Sequence, residues 1–255
     1  MTDTPTEPAQ DAQDARDLKP AFRSDVTVEL VKHSAADTDV LWAARVSTAG
    51  EQSLEEITKD PERSKGLINY LMRDRHGSPF EHNSMTFFIS APIFVFREFM
   101  RHRVGWSYNE ESGRYRELQP VFYVPGETRK LVQEGRPGKY VFVEGTAEQH
   151  ALTTRAMEDS YRQAYEAYQE MLAAGVAREV ARAVLPVGLF SSMYATCNAR
   201  SLMHFLGLRT QHELAKVPSF PQREIEMVAE KMEAEWAKLM PLTYEAFNKN
   251  GRVAP

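Results

Sequence analysis

The sequence predicts an α+β fold, in which a mixed sheet packs against long helices. Apolar and polar residues alternate with the two-residue period of a strand at 26–31 and at 85–91. Apolar residues recur every three or four positions at 157–172 and 225–239, as they do along one face of a helix. No internal repeat is present, and strands and helices are mixed along the chain.

The first half is predicted to hold two strands and three helices. Asp37 suits a helix N-cap, and Pro92 suits the first turn of a helix, where its missing N–H costs nothing. In chain order these elements are a strand at 26–31, a helix from Asp37 through Arg45, a helix at 54–72, a strand at 85–91, and a helix after Pro92 that brings Glu98 and Arg101 near its C-terminal end. The chain is then predicted to continue as a loop.

The second half is predicted to be mainly helical. Proline and glycine interrupt aromatic pairs at 116–146, which predicts an irregular excursion or a hairpin. The tyrosines of the helix at 157–172 are interpreted as core or interface packing. The remaining elements are a helix at 176–185 that Pro186 ends, a strand at 189–196, a helix at 198–208, and a last helix at 225–239 that Pro241 ends.

Composition limits the class of protein. With 255 residues, 42% of them hydrophobic, the chain can build one sizeable core, so we expect a single domain at 24–250. The polar stretch at 1–23 is expected to be a disordered tail. A net charge of -5 argues against nucleic-acid binding. We expect a cytoplasmic protein without a membrane partner, because Cys197 is the only cysteine and neither a membrane span nor a signal peptide is recognisable.

Charged groups and hydroxyls are concentrated between Phe99 and Tyr115. Guanidinium groups match phosphate well, since two parallel N–H donors meet two oxygens. The run is therefore predicted to bind a small anion, and a solvated charged loop is the alternative. Arg182, Arg200 and Arg209 lie among apolar residues of predicted helices, so each needs an anionic partner if it is buried. That partner is either a ligand or a structural carboxylate.

Several catalytic signatures are missing from the sequence. It contains no Gly-x-Ser-x-Gly hydrolase motif, no P-loop and no glycine-rich dinucleotide fingerprint. His76 and His82 have no partner set at metal-ligand spacing, so no metal is expected. Ser107 and Ser112 are interpreted as hydrogen-bonding groups, and any bound nucleotide would have to be held by arginines.

The triplet Arg101-His102-Arg103, followed by Ser112 and Arg114-Tyr115, resembles the signature of the flavin-dependent thymidylate synthases. Five further segments are similar to segments of that family in the same order: Ala44–Ser47, His76–His82, Ala91–Val95, Ala181–Pro186 and Asn198–Met203. Together the similar segments extend from about Val26 to Phe247. A match over several motifs is far more specific than the triplet alone.

The resemblance implies the thymidylate synthase-complementing protein fold and a homotetramer whose active sites are shared between subunits. It also implies methylation of dUMP to dTMP, with carbon from methylenetetrahydrofolate and hydride from FAD that NADPH has reduced. In this reaction the flavin carries the redox chemistry, while the protein supplies placement, charge and exclusion of water.

The resemblance also assigns residues by matching position. The residues implied to bind FAD are Ser78, Arg101, His102, Arg103, Glu110, Asn198, Ala199, Arg200 and His204. Those implied to bind dUMP are Glu98, Phe99, Met100, Arg101, Glu110, Glu111, Ser112, Gly113, Arg114, Arg182 and Arg209. Arg209 is the implied catalytic residue, because a fixed guanidinium stabilises negative charge on the pyrimidine ring.

Three features depart from the family pattern. Eight residues, rather than seven, separate Arg103 from Ser112, and we place the extra residue within 104–106. Glu98 stands where glutamine is common, and His204 stands where asparagine is common. Both replacements still hydrogen-bond, but each changes the charge or the tautomer.

Three other functions are considered. Unrelated thymidylate synthases use a cysteine nucleophile, but no activating base is evident near Cys197. A non-catalytic nucleotide-binding or regulatory protein would keep the arginines without the chemistry. A flavin oxidase or reductase would oxidise NADPH whether or not dUMP is present.

Overall fold

The structure, a computed structural model, describes residues 19–136 and 139–255. Its strands are β1 Ala21–Arg23, β2 Thr27–Ser34, β3 Ser84–Pro92, β4 Trp106–Glu110, β5 Val121–Tyr123, β6 Val132–Arg136, β7 Lys139–Val143 and β8 Phe190–Cys197. Its α-helices are α1 Asp37–Ala49, α2 Leu54–Thr58, α3 Pro61–Arg73, α4 Ile93–Phe99, α5 Ala147–Ala173, α6 Arg178–Ala181, α7 Ala199–Arg209, α8 Arg223–Leu239 and α9 Pro241–Lys249. Short 3₁₀ helices lie at Ser78–Glu81 and Arg182–Val184.

The described chain divides into two compact units, whereas the sequence predicts one domain at 24–250. The first unit contains the N-terminal segment through Asp25, Ala91–Phe94 and Glu111–Ser191. The second unit contains Val26–Ser90, Val95–Glu110 and Ser192–Pro255. The implied nucleotide residues fall in both units.

A helix-and-sheet core stabilises the first unit. Helix α5 begins at a capping box in which Thr146 Oγ1 accepts a hydrogen bond from the Gln149 N–H at 3.2 Å. Its tyrosines Tyr161, Tyr165 and Tyr168 are buried, and the Tyr161 ring stacks on Phe122 with centroids 4.8 Å apart. The predicted packing role of the tyrosine stripe is confirmed. At 132–143 the strands β6 and β7 form the hairpin that was one of two structures expected for 116–146.

The ordered N-terminal part begins earlier than predicted. The expected tail reaches residue 23, but Ala21–Arg23 form β1 and pair in parallel with β5, with Phe22 opposite Phe122. Pairing with a partner distant in sequence gives this three-residue segment backbone hydrogen bonds that its composition does not reveal. Residues 1–18 of the predicted tail lie outside the described residues.

A four-stranded sheet forms the centre of the second unit, with the strand order β2-β3-β8-β4. Strands β2 and β3 are antiparallel, and so are β4 and β8. Met85, Phe87 and Ile89 of β3 are fully buried, as their alternation in the sequence predicts. Helix α8 packs against β2, where Lys231 Nζ donates to the Val26 carbonyl at 2.5 Å.

Three predicted elements of the second unit differ from the structure. The helix expected at 54–72 is two helices, because Asp60 caps a new helix through the Arg63 N–H at 3.0 Å and Pro61 occupies its first turn. Helix α8 ends at Leu239, as Pro241 predicts, but it is not the last helix, because Pro241 occupies the first turn of α9. The segment expected to be a loop after Arg103 contains β4, which pairs with β8.

Candidate active site

Helix α7 carries two of the implied ligand-binding arginines at its opposite ends. Asn198 caps the helix, because its Oδ1 accepts from the Ser201 N–H at 2.9 Å. Arg200 follows in the first turn and Arg209 is the last helical residue. They are nine positions apart, which is about 14 Å along the helix axis at 1.5 Å per residue. The two side chains therefore extend from opposite ends of the helix.

At the C-terminal end of α7, Arg209 contacts two side chains, and we call these three residues the Arg209 cluster. Its NH1 donates to Glu98 Oε2, and its Nε donates to His102 Nε2 at 3.1 Å. The Arg209 and Glu98 side chains are 19% and 24% exposed, so the ion pair is largely shielded yet open on one side. The structure thus brings together Glu98, His102 and Arg209, which the sequence spreads over more than 100 positions.

The protonation state of His102 follows from this contact. The pKa of His102 is lowered to about 4, mainly by burial and to a smaller extent by the charges of Arg209 and His204. The neutral ring can accept the Arg209 N–H at Nε2 only if its proton is on Nδ1. Burial also raises the pKa of Glu98, and the positive charge of Arg209 partly offsets this increase. His102 therefore acts as a neutral acceptor that orients Arg209.

We expect this histidine to make folding sensitive to mild acid. The unfolded chain takes up a proton near the ordinary pKa of 6.5, whereas folded His102 resists protonation until its pKa of about 4. The free energy of unfolding should therefore decrease as the pH falls from 6.5 to 4, because the unfolded state binds more protons in that window. Urea unfolding of wild type and His102→Gln at several pH values measures the difference. If the free energy of unfolding depends on pH in the same way in both proteins, the lowered pKa of His102 is wrong.

At the N-terminal end of α7, Arg200 lies in a second group that we call the Arg200 cluster, with Gly77, Glu81 and Pro255. Its Nε donates to the Pro255 carbonyl at 2.7 Å, and NH1 donates to Glu81. A Cβ at Gly77 would overlap the Arg200 guanidinium, so glycine is what allows this close approach. The implied flavin residue Ser78 follows Gly77 directly and is exposed.

The loop that carries Arg101 and Arg103 is hydrogen-bonded to the first turn of α7. Ser201 Oγ donates to the Val104 carbonyl at 2.9 Å. Gly105 has a φ of 70°, and a Cβ there would collide with Ser201 Oγ. Both arginines of the loop are exposed. Sequence reasoning did not single out Gly105 or Ser201, although a glycine directly before an alternating segment is a usable turn signal.

Three other residues implied to bind flavin lie on or beside α7. The Oδ1 of Asn198 is used by the helix cap, and the Ala199 N–H donates to Asn83 Oδ1 at 2.7 Å. Ala199 is fully buried. His204 is exposed, and its pKa is lowered by partial burial and by the charges of Arg200 and Arg75. Ala199 and Asn198 Oδ1 are thus engaged within the chain, whereas His204 faces solvent.

In the first unit, residues 112–116 form a turn beside Arg182. The Tyr115 and Arg116 N–H groups donate to the Ser112 carbonyl at 3.0 and 3.2 Å. Gly113 is buried, and a Cβ on it would lie 2.9 Å from Leu118 Cδ1 and 3.1 Å from Arg182 Cδ. Arg114 Nε lies 2.7 Å from Glu179 Oε2. Of the implied nucleotide residues, Ser112, Gly113, Arg114 and Arg182 are therefore grouped in this unit.

The remaining implied nucleotide residues differ in accessibility. Phe99 is fully buried, with its ring stacked on Phe205 at 4.8 Å, so only its backbone could reach a ligand. Met100 is 41% exposed. Glu110 ends β4 and is exposed, and Glu111 lies 3.8 Å from Arg116 NH1.

Cys197 is not placed to act as a nucleophile. It is 3% exposed at the end of β8, and burial raises the pKa of its thiol well above the usual range. For the reaction that the resemblance implies, we expect Cys197→Ala to have a rate within about twofold of wild type, since a protonated buried thiol is inert. Initial rates of product formation measure this. Loss of turnover by a folded variant that still binds flavin would contradict it.

The chain is similar to known proteins over most of its length. The family model for the thymidylate synthase complementing protein matches residues 29–242. A flavin-dependent thymidylate synthase of Streptomyces avermitilis is 89% identical over the full length of both chains. The chain belongs to the flavin-dependent thymidylate synthase family. The family match covers the Arg209 cluster, the Ser112 turn and Arg182, as well as Gly77, Glu81 and Arg200.

Two further proteins are also similar to this member of the flavin-dependent thymidylate synthase family. The enzyme of Streptomyces coelicolor is 82% identical over the full length of both chains. A crystal structure of the UMP/dUMP methylase PolB from Streptomyces cacaoi, bound with 5-Br dUMP, matches with a TM-score of 0.87 and 59% identity. That match covers 92% of this chain and 100% of PolB. Within residues 19–136 and 139–255, every helix is too short or too polar to cross a bilayer.

Proposed function

We propose that this chain converts dUMP to dTMP, with carbon from methylenetetrahydrofolate and hydride from FAD that NADPH has reduced. The observation that carries the proposal is the 89% identity, over the whole of both chains, to a flavin-dependent thymidylate synthase. The Arg209 cluster adds a physical reason, because it holds a permanently charged guanidinium in a partly shielded site.

The chemistry of the donor groups fits a flavin dinucleotide. Its pyrophosphate is anionic, and Arg101 and Arg103 are exposed beside the first turn of α7, which also carries Arg200. The positive end of the α7 dipole adds to these charges. We assign FAD binding to these arginines together with Ser78, His102, Glu110, Asn198, Ala199 and His204. When bound, FAD supplies the hydride chemistry.

Two groups of residues are proposed to bind dUMP. In the second unit, Arg209 lies beside Glu98, while Phe99, Met100, Arg101 and Glu110 follow nearby in sequence. In the first unit, Glu111, Ser112, Gly113, Arg114 and Arg182 provide hydroxyl, backbone and guanidinium donors. Ser112 acts as a hydrogen-bonding group, because a hydroxyl without a base is a poor nucleophile.

Arg209 is the catalytic residue in this proposal. Negative charge spreads through the pyrimidine ring as the reaction proceeds, and a fixed guanidinium at a ring oxygen stabilises that charge. Little reorganisation is needed, because Glu98 and His102 already orient Arg209.

The enzyme is proposed to work in the cytoplasm as a homotetramer with active sites shared between subunits. Two inactive variants altered at different parts of the shared site test this arrangement. Mixed tetramers of Arg182→Ala and Arg209→Lys chains should recover dTMP formation. In a shared site, one chain supplies Arg182 and another supplies Arg209, so some sites of the mixed tetramer have both residues unaltered. No recovery in confirmed mixed tetramers would mean that each site is built from one chain.

A second candidate activity is methylation of UMP. It is favoured by the 57% identity and TM-score of 0.85 to PolB, a UMP/dUMP methylase whose structure holds 5-Br UMP. That match covers 92% of this chain and 99% of PolB. UMP is therefore offered alongside dUMP in the assay, and 5-methyl-UMP is sought among the products.

The deciding assay combines purified protein with FAD, NADPH, methylenetetrahydrofolate and either dUMP or UMP. The proposal expects a yellow protein that forms dTMP, with NADPH oxidised in step with product. A colourless protein that takes up no FAD would favour the regulatory function. NADPH oxidation without dTMP would favour a flavin oxidase or reductase.

A further inference from the structure

Arg252, which is not among the proposed ligand residues, has a buried guanidinium that contacts the residue after Arg209. Arg252 is 2% exposed and forms a two-point ion pair with Glu233 of α8, at 2.6 and 2.7 Å. Its NH1 also donates to Asn248 Oδ1 of α9 at 2.7 Å, and its NH2 donates to Thr210 Oγ1 at 3.0 Å. A single side chain thus links α8 and α9 to the residue that directly follows Arg209.

Thr210 is held at each of its polar groups. Its N–H and Oγ1 both donate to the Leu206 carbonyl, at 3.0 and 2.8 Å, and its own carbonyl accepts from Ser219 Oγ. With Oγ1 also accepting from Arg252, Thr210 has little freedom to rotate or fray. The last turn of a helix ordinarily frays, because its final carbonyls lack partners within the helix. Here the last turn carries Arg209, so its orientation depends on this anchor.

The backbone at Arg252 gives an independent reason to assign it a role. Its φ is 54°, in the left-handed region that favours glycine, and it directly follows Gly251 at 78°. A long side chain there carries a backbone cost that glycine would avoid. A buried ion pair is by itself weak evidence for stability, since desolvation offsets much of its attraction. The two hydrogen bonds between Arg252 and Glu233 do fix the orientation of the Arg252 guanidinium.

We propose that Arg252 is a positioning residue for the reaction, which fixes the C-terminal end of α7 through Thr210 and so directs Arg209 toward Glu98 and His102. The proposal rests on the role of Arg209 proposed above. Small displacements of a catalytic group are costly, because about 1 Å can reduce a rate by about 100-fold. Arg252 therefore contributes to dUMP binding and turnover without touching the nucleotide.

A double-mutant cycle on the full-length protein separates positioning from stability. Arg252→Lys and Thr210→Val are each made in wild type and in Arg209→Lys, and the Kd of dUMP and kcat are measured well below the melting temperature. Thr210→Val removes the hydroxyl that Arg252 contacts but leaves the Arg252–Glu233 pair in place, so it serves if Arg252→Lys does not fold. The matched control is Thr243→Val, which removes a buried hydroxyl bonded to Asp37 Oδ1 at 2.6 Å in the same unit.

We expect Arg252→Lys to weaken dUMP binding about fivefold and to reduce kcat about tenfold, and Thr210→Val to act in the same direction, when Arg209 is intact. In the Arg209→Lys background the further change should be below about twofold, because the group being positioned is already gone. Thr243→Val should leave both quantities unchanged. Equal losses in the two backgrounds would overturn the proposal. The Kd of dUMP is measured without turnover. If wild type forms no dTMP, the proposed function is refuted, but the Kd values still test whether Arg252 positions Arg209.

Discussion

Arg209→Lys is expected to lose dTMP formation on the order of 100-fold in kcat/KM, although it conserves the charge. Arg209 donates from two separate nitrogens, to Glu98 and to His102. Lysine presents one compact ammonium that cannot reproduce a planar group with diverging donors. The positive charge would then be less well placed to stabilise the pyrimidine ring.

Steady-state kinetics with dUMP as the varied substrate measure the loss. Arg73→Lys is the matched control, because Arg73 is exposed on α3 and donates to its neighbour Asp74. It should retain wild-type kinetics. FAD content and melting temperature show whether Arg209→Lys is folded. Near-normal turnover by a folded Arg209→Lys protein would remove Arg209 from the catalytic role.

Gly77→Ala is expected to weaken FAD binding by at least about tenfold, which corresponds to one lost charge-assisted hydrogen bond. The backbone of Gly77 accommodates alanine, since its φ of -76° is ordinary. The added methyl group, however, would occupy the position of the Arg200 guanidinium. Because that group is the flexible end of a side chain, the protein should fold while Arg200 moves away.

Flavin titration, followed by absorbance or fluorescence, measures this change. Gly66→Ala is the control, because a Cβ at Gly66 meets nothing within 4 Å. Gly66 lies inside α3, so alanine should stabilise the protein by up to about 1 kcal/mol and leave FAD affinity unchanged. Arg200→Ala should reproduce the flavin defect of Gly77→Ala. If Gly77→Ala binds FAD normally, Arg200 does not hold the cofactor.

Local sequence patterns correctly predicted the elements that bury one face against a neighbouring element. The alternation at 85–91 predicted a strand, and Met85, Phe87 and Ile89 are buried on one face. The tyrosine spacing predicted the packed face of α5. Both are faces buried against neighbouring elements, and such burial leaves a periodic signal in the sequence.

Strand β4 was missed because its signal is weak. Trp106 and Tyr108 alternate with Ser107 and Asn109, but the charged run around them indicated a loop. The strand forms because it pairs with β8, a partner more than 80 positions away. The pairing of β4 with β8 also limits where the extra residue between Arg103 and Ser112 can lie, and we place it within 104–106. Gly105 has the positive φ of a turn, whereas an added residue inside β4 would reverse the faces of the side chains that follow.

The sequence by itself determined the family, the α+β class and the arginines that are charged and available for anions. These depend on residue identity and on short-range spacing, which are read directly from the chain. The tertiary structure alone decided that Arg209 meets Glu98 and His102, that Gly77 makes room for Arg200, and that Arg252 anchors the end of α7. Each of these contacts joins residues far apart in sequence, and only the packing of helices and strands brings them within hydrogen-bonding distance.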